Sequence, residues 1–152
     1  TLQAYDKILI SPGPGLCSEA GQLREILYEL GPVHDILGIC LGHQAIAEVY
    51  GARLIRTEVV FHGLCSQVSI LPPADILFRG VRSPFMAGRY HSWFIDPSSL
   101  SSHLEITAVS GEGIPMAIRH KRFEVRGLQF HPESYMTTEG SKMIENWLRY
   151  HP

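Results

Sequence analysis

The segment Gly38-Ile39-Cys40-Leu41-Gly42-His43-Gln44 constrains the fold more than any other stretch of the chain. It follows the apolar run Ile36-Leu37-Gly38-Ile39 and precedes residues with helical periodicity, so the backbone must turn from strand to helix at Cys40. Small residues two positions either side of the cysteine let such a turn close tightly and lift one side chain into the open. A thiol at that corner also stands at the first turn of a helix, where free N–H groups and the macrodipole favour its thiolate. The spacing therefore predicts a reactive cysteine at the carboxyl end of a buried strand.

The flanking segments extend this unit. Residues 8–10 form a short apolar run that ends in the irregular loop Ser11-Pro12-Gly13-Pro14-Gly15. Leu23, Ile26, Leu27 and Leu30 then mark one helical stripe, with Ser18 as a plausible N-cap and Gly31-Pro32 as the stop. The strand at 35–39 and a helix from about residue 41 to 50, closed by Gly51, complete a strand-helix-strand-helix order, which implies parallel pairing. In sheets of this kind reactive loops lie at the carboxyl ends of the strands, where both Gly13 and Cys40 fall.

Further on, strand-like runs recur at 52–56, 59–61, 67–71, 91–96, 105–110, 116–120 and 125–131, separated by turns such as Pro72-Pro73 and Gly111-Glu112-Gly113. A last helix is signalled by Thr137 or Thr138 as cap and by the stripe Met143, Ile144, Trp147, Leu148. The expected fold class is α/β: an open, mostly parallel sheet flanked by helices, with antiparallel additions. No repeat or linker interrupts residues 1–152, which read as a single domain.

With 152 residues, 45 % of them apolar and 18 % charged, the chain suits one packed core. A net charge of -2 without a basic run argues against nucleic acid as partner, and no apolar stretch reaches membrane-spanning length. With no signal-peptide pattern at the start, the expected location is cytoplasmic. Three cysteines, Cys17, Cys40 and Cys65, are an odd number at no metal-like spacing, so neither a disulfide framework nor a metal site is expected. Cys17 and Cys65 read as small apolar fillers. An isolated helical histidine such as His43 reads as solvated or capped.

A nucleophilic thiol needs a base and a group that orients the base. Of eight histidines, His131 ends an apolar run and is followed by Pro132-Glu133. Residues two apart on an extended chain point to the same side, so His131 and Glu133 face together. The residues alone also admit a plainer reading, in which His131 caps a strand beside a solvated Glu133. The loop Gly13-Pro14-Gly15 could present a backbone N–H to an oxyanion, paired with the amide of Leu41 just after the cysteine. The rival reading, a phosphate loop, is disfavoured because the Gly-Lys-Ser/Thr ending and the third glycine are missing, and the plain alternative is a simple turn.

Three segments in order, Ser11-Pro12-Gly13-Pro14-Gly15, the Cys40 elbow and Gln129-Phe130-His131-Pro132-Glu133-Ser134, resemble the signature motifs of class I, triad-type glutamine amidotransferases. Within that family His62-Gly63, Phe78-Arg79-Gly80 and Arg89-Tyr90-His91-Ser92 are similar to segments of the glutaminase subunits of anthranilate synthase and aminodeoxychorismate synthase. The resemblance implies that Cys40 attacks the side-chain amide of glutamine, with His131 as base and Glu133 as its orienting group. It implies Gly13 and Leu41 as oxyanion donors, and Gly13, Pro14, Gly15, Gln44, Ser92 and Trp93 as the glutamine site. It further implies a chorismate-binding synthase subunit as partner, no cofactor in this subunit and Mg²⁺ in the partner. Family members begin with a strand-helix-strand unit that these residues do not match, so an N-terminally incomplete domain is expected. The Arg89 to His91 cluster reads as a surface that a partner could touch.

Three functions are distinguishable: a glutaminase subunit feeding anthranilate or aminodeoxychorismate synthesis, a stand-alone γ-glutamyl hydrolase, and a non-catalytic regulatory module.

Overall fold

A computed structural model describes residues 2–152. The elements are β1 (Lys7–Ile10), α1 (Leu23–Leu30), β2 (Asp35–Ile39), α2 (Leu41–Val49), β3 (Leu54–Arg56), β4 (Leu64–Ile70), β5 (Phe85–Arg89), β6 (Trp93–Ile95), β7 (Leu104–Ser110), β8 (Pro115–His120), β9 (Val125–Leu128) and α3 (Gly140–Arg149). Among the described residues, seven strands form one sheet in the order β1-β2-β9-β8-β7-β4-β5, and β3 pairs with β6 in a small separate ribbon. β1–β2 and β2–β9 pair in parallel and the remaining neighbours antiparallel, so five of the seven strands point the same way and only β8 and β4 oppose them. The α/β architecture with antiparallel additions is as expected from the sequence. No helix among the described residues is long and apolar enough to cross a membrane.

β2 lies inside the sheet with every residue buried, which is why it reads as a continuous apolar run. Successive side chains on a strand face opposite ways. Ile36 accordingly packs with Leu27, Leu30, Ala45 and Ile46 of α1 and α2. Leu37 and Ile39 pack on the other face with Leu77, Phe78, Met143 and Trp147. Each such fully buried side chain contributes roughly 2 kcal/mol of transfer free energy.

Some boundaries differ from the sequence reading. Ser18 is no N-cap: it lies in a single 3-10 turn, Cys17–Glu19, and Gly21 at φ 61° breaks the chain before α1 begins. Neither Thr137 nor Thr138 caps α3, which starts after Glu139. Thr137 instead accepts the Gly88 N–H (3.0 Å) and donates to the His131 carbonyl (2.6 Å), tying β5 to the segment after β9. Residues 59–61 form no strand; they run beside residues 89–92, with Phe61 and Gly63 N–H groups donating to the His91 and Arg89 carbonyls. Strand β5 escaped the sequence reading because Gly88 weakens its β signal, yet a Cβ there would sit 2.9 Å from the Ser134 hydroxyl.

At the amino edge of the sheet, Asp35 collects a buried polar cluster. Its carboxylate accepts the Trp147 indole N–H at 2.7 Å, pairs with Lys7 and lies 3.8 Å from an Arg126 nitrogen. Arg126 in turn contacts Asp75 and Glu124. One carboxylate thus joins β1, β2, β9 and α3. Removing one member of a buried charge cluster leaves the others uncompensated. Asp35→Ala is expected to lower unfolding free energy by about 3–5 kcal/mol in urea titration; a loss below about 1 kcal/mol, the worth of an exposed pair, would refute this role.

Candidate active site

The loops after β1, β2, β5 and β9 meet at the carboxyl edge of the parallel strands. Their meeting depends on how closely α2 approaches the sheet. A Cβ on Gly38 would stand 2.5 Å from the Gly42 carbonyl carbon, one on Gly42 2.8 Å from the Ile10 carbonyl oxygen, and one on Gly127 2.7 Å from the His43 ring. With backbone this close to backbone, the turn can only be made with Cys40 in a left-handed conformation, φ 52° and ψ -97°, among the described residues the one non-glycine at positive φ. Such a backbone stores about 1–3 kcal/mol and is held by surrounding packing.

The Cys40 sulfur lies 3.8 Å from the Tyr90 carbonyl oxygen, to which its S–H is directed, and 3.8 Å from the Gln129 side-chain nitrogen. Burial pushes the thiol up to about 11, the Leu41 backbone N–H pulling the other way and Glu133 adding to the rise. The helix terminus favours the thiolate as expected, through the Leu41 N–H, but desolvation outweighs that one donor.

His131 Nδ1 is 2.6 Å from Glu133 Oε1. A carboxylate only accepts, so Nδ1 carries a proton toward Glu133, while Nε2 is buried and has no hydrogen-bond partner among the described residues. The Tyr90 ring packs edge-on to His131, centroids 4.9 Å apart, while its carbonyl faces Cys40. Tyr90 therefore touches both groups, its carbonyl facing the thiol and its ring the imidazole.

Around Cys40 a cavity of about 240 Å³ is lined by Gly13, Gly15, Gln44, Arg56, His91, Ser92 and Trp93. Of the glutamine-site residues expected from sequence, all but Pro14 line it. Gly13 also packs on the Leu41 side chain, a Cβ position there lying 3.0 Å from Leu41 Cδ2. His131 and Glu133 line a neighbouring space with Tyr90, Ser134 and Tyr135. A larger cavity, about 660 Å³, lies at the opposite edge among Lys7, Asp35 and Glu124 and holds none of these groups. Among the described residues no cluster of three or more His, Cys, Asp or Glu is placed to hold a metal ion.

Several assignments change. Gln44 lines the cavity, but its Nε2 is engaged with the Trp93 carbonyl (2.9 Å) and Gln129 Oε1 (3.2 Å). Arg89 and His91 are buried and not a surface for a partner. His43 is likewise fully buried, its imidazole depressed to about 3 by desolvation, and not solvated. Cys17 is a buried filler as expected, whereas Cys65 is exposed. Gln129, Arg56 and the Tyr90 carbonyl were missed as site groups; Gln129 alone carried a signal, as a polar residue inside the apolar run before His131.

A family model described as glutamine amidotransferase class-I matches residues 1–150. The chain belongs to this family. The amidotransferase is 44 % identical over 142 residues to aminodeoxychorismate synthase component 2 of Klebsiella aerogenes, covering 93 % of this chain and 75 % of the relative. It is 41 % identical over 143 residues to aminodeoxychorismate/anthranilate synthase component 2 of Bacillus subtilis, covering 94 % and 73 %. Against the chloroplastic anthranilate synthase beta subunit 2 of Arabidopsis thaliana it is 40 % identical over 146 residues, and there spans only 54 % of the relative's length. Among solved structures, a glutamine amidotransferase of Thermotoga maritima superposes with TM-score 0.70 at 21 % identity over 97 % of this chain and 63 % of that one, a likeness of fold.

The thiol environment of the amidotransferase sets a pH dependence. With its titration point raised to about 11, alkylation of Cys40 by iodoacetamide should rise about tenfold per pH unit from pH 7 to 10, followed on the Cys40 peptide by mass spectrometry. A plateau at or below pH 8 would contradict the buried-thiol geometry.

Proposed function

We propose that this chain is the glutaminase subunit of an anthranilate synthase, supplying ammonia to a chorismate-binding synthase subunit. The observation that carries the reading is the convergence of Cys40, Tyr90 and the His131–Glu133 pair on one edge of the sheet, in a chain 40–44 % identical to subunits of such synthases. Glutamine enters the cavity beside Cys40 with its carboxamide carbon at the sulfur. Rotation of Cys40 away from the Tyr90 carbonyl brings its S–H to the free lone pair of His131 Nε2. As the S–C bond forms, His131 takes the proton and the carbonyl oxygen becomes an oxyanion facing the N–H groups of Gly13 and Leu41. The C–N bond then breaks, and the proton leaves with ammonia. Water, deprotonated by His131, attacks the thioester; the S–C bond breaks and glutamate departs as the sulfur recovers its proton. Glu133 holds His131 in the one tautomer that serves both half-reactions.

Val59, Val60, Leu64 and Tyr135 are exposed apolar residues on segments that border the site, and they suit a docked synthase through which ammonia passes without escaping. The Klebsiella relative favours a second product, aminodeoxychorismate.

The test is product identity. The intact protein with its cognate synthase subunit is supplied with chorismate and either glutamine or ammonium. Anthranilate from both donors is expected, and Cys40→Ala should lose the glutamine-driven reaction by at least about 10³-fold while the ammonium-driven one persists. Aminodeoxychorismate would assign the second reading. Glutamine hydrolysis unaltered by any synthase partner would overturn both.

A further inference from the structure

Gln129 is fully buried at the end of β9, and its carboxamide bridges two functional groups: Nε2 faces the Cys40 sulfur at 3.8 Å and Oε1 accepts from Gln44 Nε2 at 3.2 Å. We propose that Gln129 is a positioning residue for the nucleophile, delivering an N–H to the Cys40 sulfur from an orientation imposed through Gln44 by the Trp93 backbone carbonyl, which buried His91 and Arg89 flank. The proposal rests on the reading of Cys40 as nucleophile.

These hydrogen bonds have only one possible polarity. Arg89 Nε can only donate, so His91 Nε2, 3.1 Å away, must accept. The proton of the neutral ring is then on Nδ1, which donates to the Trp93 carbonyl at 2.8 Å. Burial and the Arg89 charge hold this imidazole down at about 4, so the tautomer persists at neutral pH. The Trp93 carbonyl can only accept, so Gln44 must present its NH₂ to it, at 2.9 Å, rather than its oxygen. The second hydrogen of that NH₂ faces Gln129, which therefore turns Oε1 toward Gln44 and its own NH₂ toward sulfur. The Arg89 guanidinium fixes the His91 tautomer, and the Trp93 carbonyl, which has no donor role, fixes both amide orientations.

Arg89 is anchored in turn. Its guanidinium lies 3.5 Å from the centroid of Phe61 and donates to Ser66 at 3.1 Å and to Glu112 at 3.4 Å. Arg89 is fully buried, whereas Glu112 is about half exposed.

At Cys40 the consequence is a division of labour. Tyr90 O takes the resting S–H, and Gln129 supplies a donor that gains strength as negative charge develops on sulfur. A carboxamide that served packing alone would not need its NH₂ aimed at the nucleophile.

Two substitutions and one spectroscopic measurement test this in the intact protein with its synthase partner. Gln129→Glu keeps the shape but turns an acceptor to the sulfur, and Gln129→Met removes the polar end. Both should move the alkylation profile of Cys40 upward by about one pH unit or more and lower glutamine-dependent kcat about 10- to 100-fold with KM little changed, the loss of one hydrogen bond to a charged group. Ammonium-dependent synthesis should persist, as evidence of an intact complex. In the unsubstituted protein, the ¹⁵N side-chain resonance of Gln129 should shift when Cys40 is carbamidomethylated. A folded variant with an unmoved alkylation profile, or an unmoved Gln129 resonance, overturns the proposal. The alkylation and resonance readouts do not depend on glutamine turnover, so they stand even if the protein proves not to be a glutaminase.

Discussion

The close approach of α2 to the strands beneath it governs everything at the carboxyl edge. Gly38, Gly42 and Gly127 each leave room that a single methyl group would fill with backbone or with the His43 ring. At Gly38 and Gly42 the neighbour is backbone, so no side-chain rotation could relieve an added Cβ, and the helix would have to lift away. Lifting it would relax Cys40 from its left-handed geometry and move the sulfur from the loops after β1, β5 and β9. The position of Cys40 is thus a consequence of glycine placement along two strands and one helix, and the strain at Cys40 is held by the same packing.

The sheet separates stability from chemistry. At its amino edge Asp35, Lys7, Arg126 and Trp147 fasten β1, β2, β9 and α3 together. At its carboxyl edge the same strands release loops that carry Gly13, Cys40 and His131. β5 joins this edge from the far side of the sheet, its backbone receiving the His131 N–H at Gly88 O (3.0 Å) and its following residues supplying the Tyr90 and Trp93 carbonyls. The functional edge is therefore built from strands that are distant in the sheet yet point the same way.

How much of this was legible in the sequence depended on how local the cause was. The elbow at Cys40, strand β2 and the His131–Glu133 pair were legible because each is written in a few consecutive residues with a strong pattern. The start of α1 was not, since the left-handed Gly21 overrode the capping signal of Ser18. β5 was missed because Gly88 serves the neighbouring Ser134 rather than strand propensity. The sulfur's partners, Tyr90 and Gln129, are 50 and 89 residues from Cys40 in sequence, a separation that no short-range pattern encodes. The same holds for the burial that keeps the thiol protonated, which outweighs the thiolate preference set by the helix terminus.

In the proposed reaction Cys40, and no other cysteine, attacks a glutamine carboxamide in the cavity beside it. The most direct measurement is covalent labelling of the intact protein by a glutamine-shaped electrophile, mapped by peptide mass spectrometry with and without free glutamine. A single adduct on Cys40, whose formation glutamine slows, is expected. An adduct on the exposed Cys65 that glutamine leaves unaffected, or no adduct at all, would contradict it.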